Sequence, residues 1–121
     1  MALTCTEIPT TGADIFLCPG TAPSDVQEHA VTCIIFCNTS ASDVILNLYA
    51  VPTGLNVAAQ TQIIKDLTIP AGETFTFDSE KIILSTGDRV RAVTNVNNRL
   101  SATVSTMRVS CLLYTSDAAD E

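Results

Sequence analysis

Few side chains in this sequence could carry out chemistry. The only histidine, His29, adjoins Glu28 and lies four residues beyond Asp25, a set that could relay a proton or hold a cation. Acyl transfer would need a nucleophile, its base and an orienting acid together, and a lone histidine in a polar segment reads better as a loop edge. Asp78 and Glu80 bring two carboxylates close in sequence, a pairing that serves acid–base work or Ca²⁺. Within Phe77-Asp78-Ser79-Glu80-Lys81 they read instead as a solvated turn. Gly12, Gly20, Gly54, Gly72 and Gly87 stand singly, so there is no glycine-rich loop to cradle a phosphate. The expectation is a chain without catalytic, cofactor-binding or metal-binding residues, and not an enzyme.

The cysteines point the same way. Cys5, Cys18, Cys33 and Cys37 include no Cys-x-x-Cys spacing, and no second histidine exists to complete a zinc site. Cys33 and Cys37 lie in the apolar run Val31-Thr32-Cys33-Ile34-Ile35-Phe36-Cys37, expected to be a central strand buried on both sides or nearly so. On such a strand they share a face about 13 Å apart, too far to pair. Free core thiols are expected, with a Cys5 to Cys18 bridge between neighbouring strands as the alternative. Residues 1–4 show no basic segment leading into an apolar stretch, so no secretory signal is read there. Synthesis in a cytoplasm, where thiols stay reduced, is the corresponding expectation.

Partners are bounded by charge and aromatic content. The net charge is −7, and Arg89, Arg91, Arg99 and Arg108 form no basic cluster, whereas neutralising phosphates requires several cations on one face. Nucleic acid is therefore not an expected partner, and Arg89 with Arg91 reads as a solvated sheet face. No apolar run approaches the roughly 18 residues that would suggest a membrane span. Glycans are weakly favoured: there is no Trp, Tyr49 is the one tyrosine ahead of residue 110, and all four Phe fall in core-like runs.

What would position these groups is a set of short strands. Residues 66–109 alternate between apolar or alternating runs and the turn clusters Pro70-Ala71-Gly72-Glu73, Ser85-Thr86-Gly87-Asp88 and Asn95-Val96-Asn97-Asn98. Pro presets φ, Gly supplies positive φ and Asn or Asp bonds its own backbone, so clusters at this spacing argue for antiparallel β structure. Strands are expected over residues 3–8, 13–18, 30–37, 44–51, 61–69, 73–77, 81–84, 89–94 and 100–109. The first two should form a hairpin or a paired corner. Residues 21–28 and 52–60 should be exposed loops, the second with one helical turn around Leu55, Val57, Ala58 and Ala59. Eight or nine such strands make an all-β, single-domain antiparallel sandwich, jelly-roll-like, whose exposed edges call for cover by self-association.

The final eleven residues, Cys111 to Glu121 (CLLYTSDAADE), abandon strand alternation. They resemble, at every position, the translation in one reading frame of a widely used transposon-based sequencing adaptor. That likeness implies a non-native tail, a domain over residues 1–110, a natural chain interrupted near Ser110, and a metagenomic source. Removing Asp117, Asp120 and Glu121 takes the acidic count from 13 to 10 against 6 basic residues, and the net charge from −7 to −4.

One further resemblance concerns function. The pattern Leu67-Thr68-Ile69-Pro70-Ala71-Gly72-Glu73-Thr74, then Lys81-Ile82-Ile83-Leu84, then Gly87-Asp88-Arg89-Val90-Arg91-Ala92 and a terminal alternating strand resembles small virion structural proteins of tailed bacteriophages. The likeness spans about residues 31–109, and residues 8–25 match less well. It implies an accessory virion component, decorating the capsid or attached at neck, tail or fibre, made in the host cytoplasm and found in the virion. It carries over no catalytic residue. Expected partners are further copies of the chain, a trimer above all, and other virion proteins; the alternative is a host-surface or glycan-binding module at a tail-fibre tip.

Overall fold

The computed structural model describes residues 2–21, 24–77 and 82–109. Asp78, Glu80, Lys81 and the eleven-residue tail lie outside the described residues, and with them the carboxylate pair and the domain boundary near Ser110. Nine strands are present: β1 (Ala2–Glu7), β2 (Ala13–Leu17), β3 (Glu28–Asn38), β4 (Val44–Val51), β5 (Gln62–Ile69), β6 (Thr74–Phe77), β7 (Ile82–Ser85), β8 (Arg89–Thr94) and β9 (Leu100–Arg108). Each falls within two residues of its sequence expectation. The helical turn is a 3₁₀ turn at Ala59–Thr61. It sits there because the Thr61 hydroxyl accepts from the Ala58 N–H at 3.0 Å and lies within bonding reach of the Ala58 and Asn56 carbonyls.

The strands form two antiparallel sheets. In the first the order is β1-β9-β3-β6, with β7 also on β3; in the second it is β2-β8-β4-β5. Because β6 and β7 pair with successive stretches of β3, residues 34–37 and 28–31, they act as one interrupted strand. Counted so, strand one pairs with eight, two with seven, three with six and four with five. The chain is thus a long hairpin with its tip between β4 and β5, rolled until alternate pairs fall in opposite sheets. The β3–β9 and β4–β8 ladders then complete each sheet. This connectivity is that of a jelly-roll sandwich.

Two expectations are corrected. First, β1 and β2 make no hairpin: β1 pairs with β9 and β2 with β8, so residues 8–12 turn a corner from one sheet to the other. Second, β3 is buried on one side only. Val31, Ile34, Phe36 and Asn38 face inward, while Cys33, Ile35 and Cys37 face outward and stay partly exposed, because no layer covers the outside of the first sheet among the described residues. The core lies between the sheets, where Ile15, Ile34, Phe36, Leu46, Leu48 and Val90 are fully buried. Phe36 stacks on Phe75 at 6.4 Å between ring centroids. Burying each such side chain contributes about 1.5–3 kcal/mol.

Each end of the sandwich is tied by one polar side chain. At one end Asn38, almost fully buried, donates from Nδ2 to the Ser42 and Ile69 carbonyls at 2.8 and 2.9 Å. Its Oδ1 accepts from the Ser40 N–H and hydroxyl at 3.0 and 2.8 Å. At the other end Asp88 holds residue 53 of the β4–β5 connection against the Ser85–Asp88 turn. Its Oδ1 accepts from the Thr53 N–H at 2.8 Å and the Thr53 hydroxyl at 3.0 Å, and its Oδ2 from the Ser85 N–H at 3.0 Å. Gly20 packs beside this turn with φ +119, and a Cβ there would collide with the Asp25 carbonyl oxygen, so no larger residue fits.

Candidate interaction surface

Among the described residues, Asp25, Gln27 and His29 form a small hydrogen-bonded chain. Gln27 stands between Asp25 and His29, donating to Asp25 Oδ2 at 3.0 Å while its Oε1 lies 3.0 Å from His29 Nε2. The imidazole packs against Phe16 at 5.7 Å between ring centroids. Burial, reinforced by the Arg108 guanidinium, pushes the His29 pKa below its ordinary value and favours the neutral ring. Glu28 is exposed. Among the described residues, no three His, Cys, Asp or Glu side chains gather as a metal site requires.

The cysteines separate by environment. Cys5 and Cys18 are both free, so the bridge between them does not form. Cys18 is the core thiol, within 3.4 Å of the Leu84 carbonyl. Burial, and secondarily the Asp88 and Glu28 carboxylates, raise its pKa against the opposing effect of a backbone hydrogen bond at His29. Cys33 and Cys37, expected in the core, are half-buried on the outward side of β3, and Cys5 is exposed. Because reaction requires an accessible thiolate, among the four described cysteines a maleimide added to dilute protein should modify Cys5 first, Cys33 and Cys37 more slowly, and Cys18 only as the domain unfolds. Peptide mass mapping over time checks this order, and early modification of Cys18 would contradict its placement.

The outer faces of the two sheets differ in kind. On the second sheet, Arg91 meets Asp14 at 3.0 Å and donates to the Thr11 carbonyl at 3.2 Å. Arg89 Nε lies 3.8 Å from the same carboxylate oxygen, close enough for charge attraction but too long for a hydrogen bond. Gln62 donates to Asn47 Oδ1 at 2.7 Å, and that oxygen also accepts the Asp66 N–H. The Arg89 and Arg91 pair is thus, as expected, part of a polar sheet face, and Tyr49 sits on it between Arg91 and Gln62. Most of its polar groups thus meet one another, while Arg89 Nε has no hydrogen-bond partner and Leu17 and Ile63 of this sheet stay exposed.

The first sheet presents a plane poor in charge. Across the strands its outward side chains run in rows: Glu7, Ser101, Cys37 and Thr74; then Cys5, Thr103, Ile35 and Thr76; then Leu3, Ser105 and Cys33; then Met107, Ala30 and Ile83. Leu3 is 70% exposed, Ile83 60%, Met107 46% and Ile35 39%. Among the described residues the only charges on this plane are Glu7 and Glu28, at opposite ends. The result is a contiguous face of apolar groups and small hydroxyls with its charges at the ends. Sequence reasoning missed it by assigning Cys33, Ile35 and Cys37 to the core; the alternation of Ser101, Thr103 and Ser105 on the neighbouring strand was the available signal.

The described parts of the two loops considered for binding, residues 21–28 and 52–60, lie at the same end of the roll, joined through the Thr86 and Asp88 hydrogen bonds to Gln27 and Thr53. No helix among the described residues is long and apolar enough to cross a membrane. Compared with protein-family models, curated proteins and solved structures, the chain matches none.

Proposed function

We propose that this protein is a non-enzymatic structural component of a bacteriophage virion, a jelly-roll module that self-associates, with three copies favoured, and docks on the capsid, neck or tail. The observation that carries this reading is the contrast between the two outer faces, one crossed by its own ion pair and hydrogen bonds, the other partly apolar, charged only at its ends and uncovered among the described residues. A layered roll with short turns and hydroxyl-rich strands suits work done by rigid contact. The jelly roll itself serves both viral capsid and lectin domains, so the fold alone does not choose between attachment chemistries.

Mass spectrometry of density-purified virus particles tests the proposal. Tryptic peptides AVTNVNNR (residues 92–99) and LSATVSTMR (residues 100–108) are expected in the particle fraction at a level comparable with other virion proteins. Their confinement to the lysate supernatant would overturn it. A second reading, a glycan-binding module at a fibre tip, is favoured by the convergence of the two loops at one end; glycan binding by the chain, lost in Tyr49→Ala, would shift the assignment.

A further inference from the structure

We infer that β1 is a docking edge for a second copy of this chain, pairing antiparallel with its own symmetry mate. The inference rests on the self-association reading above and names the surface that carries it.

Three of the four sheet edges are blunted in ways that discourage strand addition. At the edge formed by β6 and β7, the two pieces are only four residues each. β2 has five residues and a register break between Asp14 and Phe16. β5 is broken against β4 in two places, carries Asp66 at φ 52, and exposes Lys65. β1 has none of these features: six residues, unbroken register with β9, no Pro and no Lys.

Its free hydrogen-bonding groups follow from the ladder. The Ile8 N–H donates to the Leu100 carbonyl at 3.0 Å, continuing the register in which Glu7 faces Ser101. The bonded pairs with β9 are therefore those of Thr6, Thr4 and Ala2, and the N–H and C=O groups of Leu3, Cys5 and Glu7 point to the open edge. A second β1 meets all of them in one register only, centred on Cys5, with Leu3 opposite Glu7 of the mate and Cys5 opposite Cys5. That register makes six N–H···O bonds. It also places the two Glu7 carboxylates about 14 Å apart by strand rise, avoiding like-charge contact. The outer planes of both copies then join into one surface with a Glu7 carboxylate at each end of the seam, since opposed residues in an antiparallel ladder share a face. Such a contact is two-fold: alone it makes a dimer, and with a threefold contact elsewhere a hexamer.

Sedimentation of the full chain over a concentration series tests this. The wild type should associate through this two-fold contact, as a dimer or, with the three-copy contact proposed above, as a hexamer. Cys5→Pro should halve the assembly mass with an unchanged far-UV spectrum, because position 5 gives its N–H to the edge and not to β9. Leu3→Lys should weaken association in the same direction. In a Cys111→Ser background, a short bismaleimide should link two chains through Cys5, and a further Cys5→Ser should abolish the link while keeping the mass. A wild type that is one chain at all concentrations, or an assembly that survives Cys5→Pro, would overturn the inference. A trimer indifferent to Cys5→Pro would leave the virion reading standing, whereas an edge dimer absent from purified particles would do the opposite.

Discussion

Asn38→Asp should destabilise the domain by about 4 kcal/mol at neutral pH, lowering its melting temperature by roughly 15 °C or more. Asn38 uses both Nδ2 protons on carbonyls and its Oδ1 on Ser40, so one buried side chain closes the β3–β4 turn and ties it to the end of β5. Aspartate keeps the acceptor but replaces the donor with a second oxygen facing the Ser42 and Ile69 carbonyls. Those acceptors lose their partner, and a charge is left where water does not reach. Burial and the facing carbonyls would raise the new carboxyl's pKa, so the deficit should shrink in acid, where the protonated form regains one donor. Thermal melts of the two proteins across pH measure the effect. Equal melting temperatures at neutral pH would show that the Asn38 cluster contributes nothing.

Asp88→Asn is expected to cost about 2 kcal/mol at neutral pH, because charge-assisted bonds to Thr53 and Ser85 are replaced by weaker ones and an amide is set against the Ser85 N–H. Burial of Asp88 opposes ionisation, but the Ser85 N–H, the Thr53 N–H and the Thr53 hydroxyl outweigh it, and the carboxyl pKa falls below its ordinary value. A depressed folded-state pKa means stability that is present above the unfolded value, about 3.9 for Asp, and is lost as pH falls through the folded value. The gap between wild type and variant should therefore be full at neutral pH and close below the ordinary Asp range. Denaturant midpoints at neutral and acid pH check this, and a gap that stays constant would remove Asp88 from the role assigned to it.

Local chemistry made most of the strands readable. Pro70 to Glu73, Ser85 to Asp88 and Asn95 to Asn98 bound their strands through side chains and φ preferences that need no distant partner. Pairing was less readable because it depends on residues a hundred positions apart, such as Ala2 and Thr106. Hence β1 and β2, adjacent in sequence and each a plausible hairpin arm, lie in opposite sheets. The face of β3 was obscured for another reason: Cys33, Ile35 and Cys37 are apolar on the outward side as well as Ile34 and Phe36 on the inward side, so hydropathy shows no alternation where the fold has it. Asn38 and Asp88 read only as turn formers, because the carbonyls and N–H groups that they join come from segments separated in sequence. The uncovered plane and its free edge became visible only once β1, β9 and β3 were side by side.

The central claim is that this fold works by contact between copies. Sedimentation velocity on the full chain, from dilute to concentrated, measures that contact most directly. Reversible, concentration-dependent association is the expected result; the mass of a single chain throughout the series would contradict it.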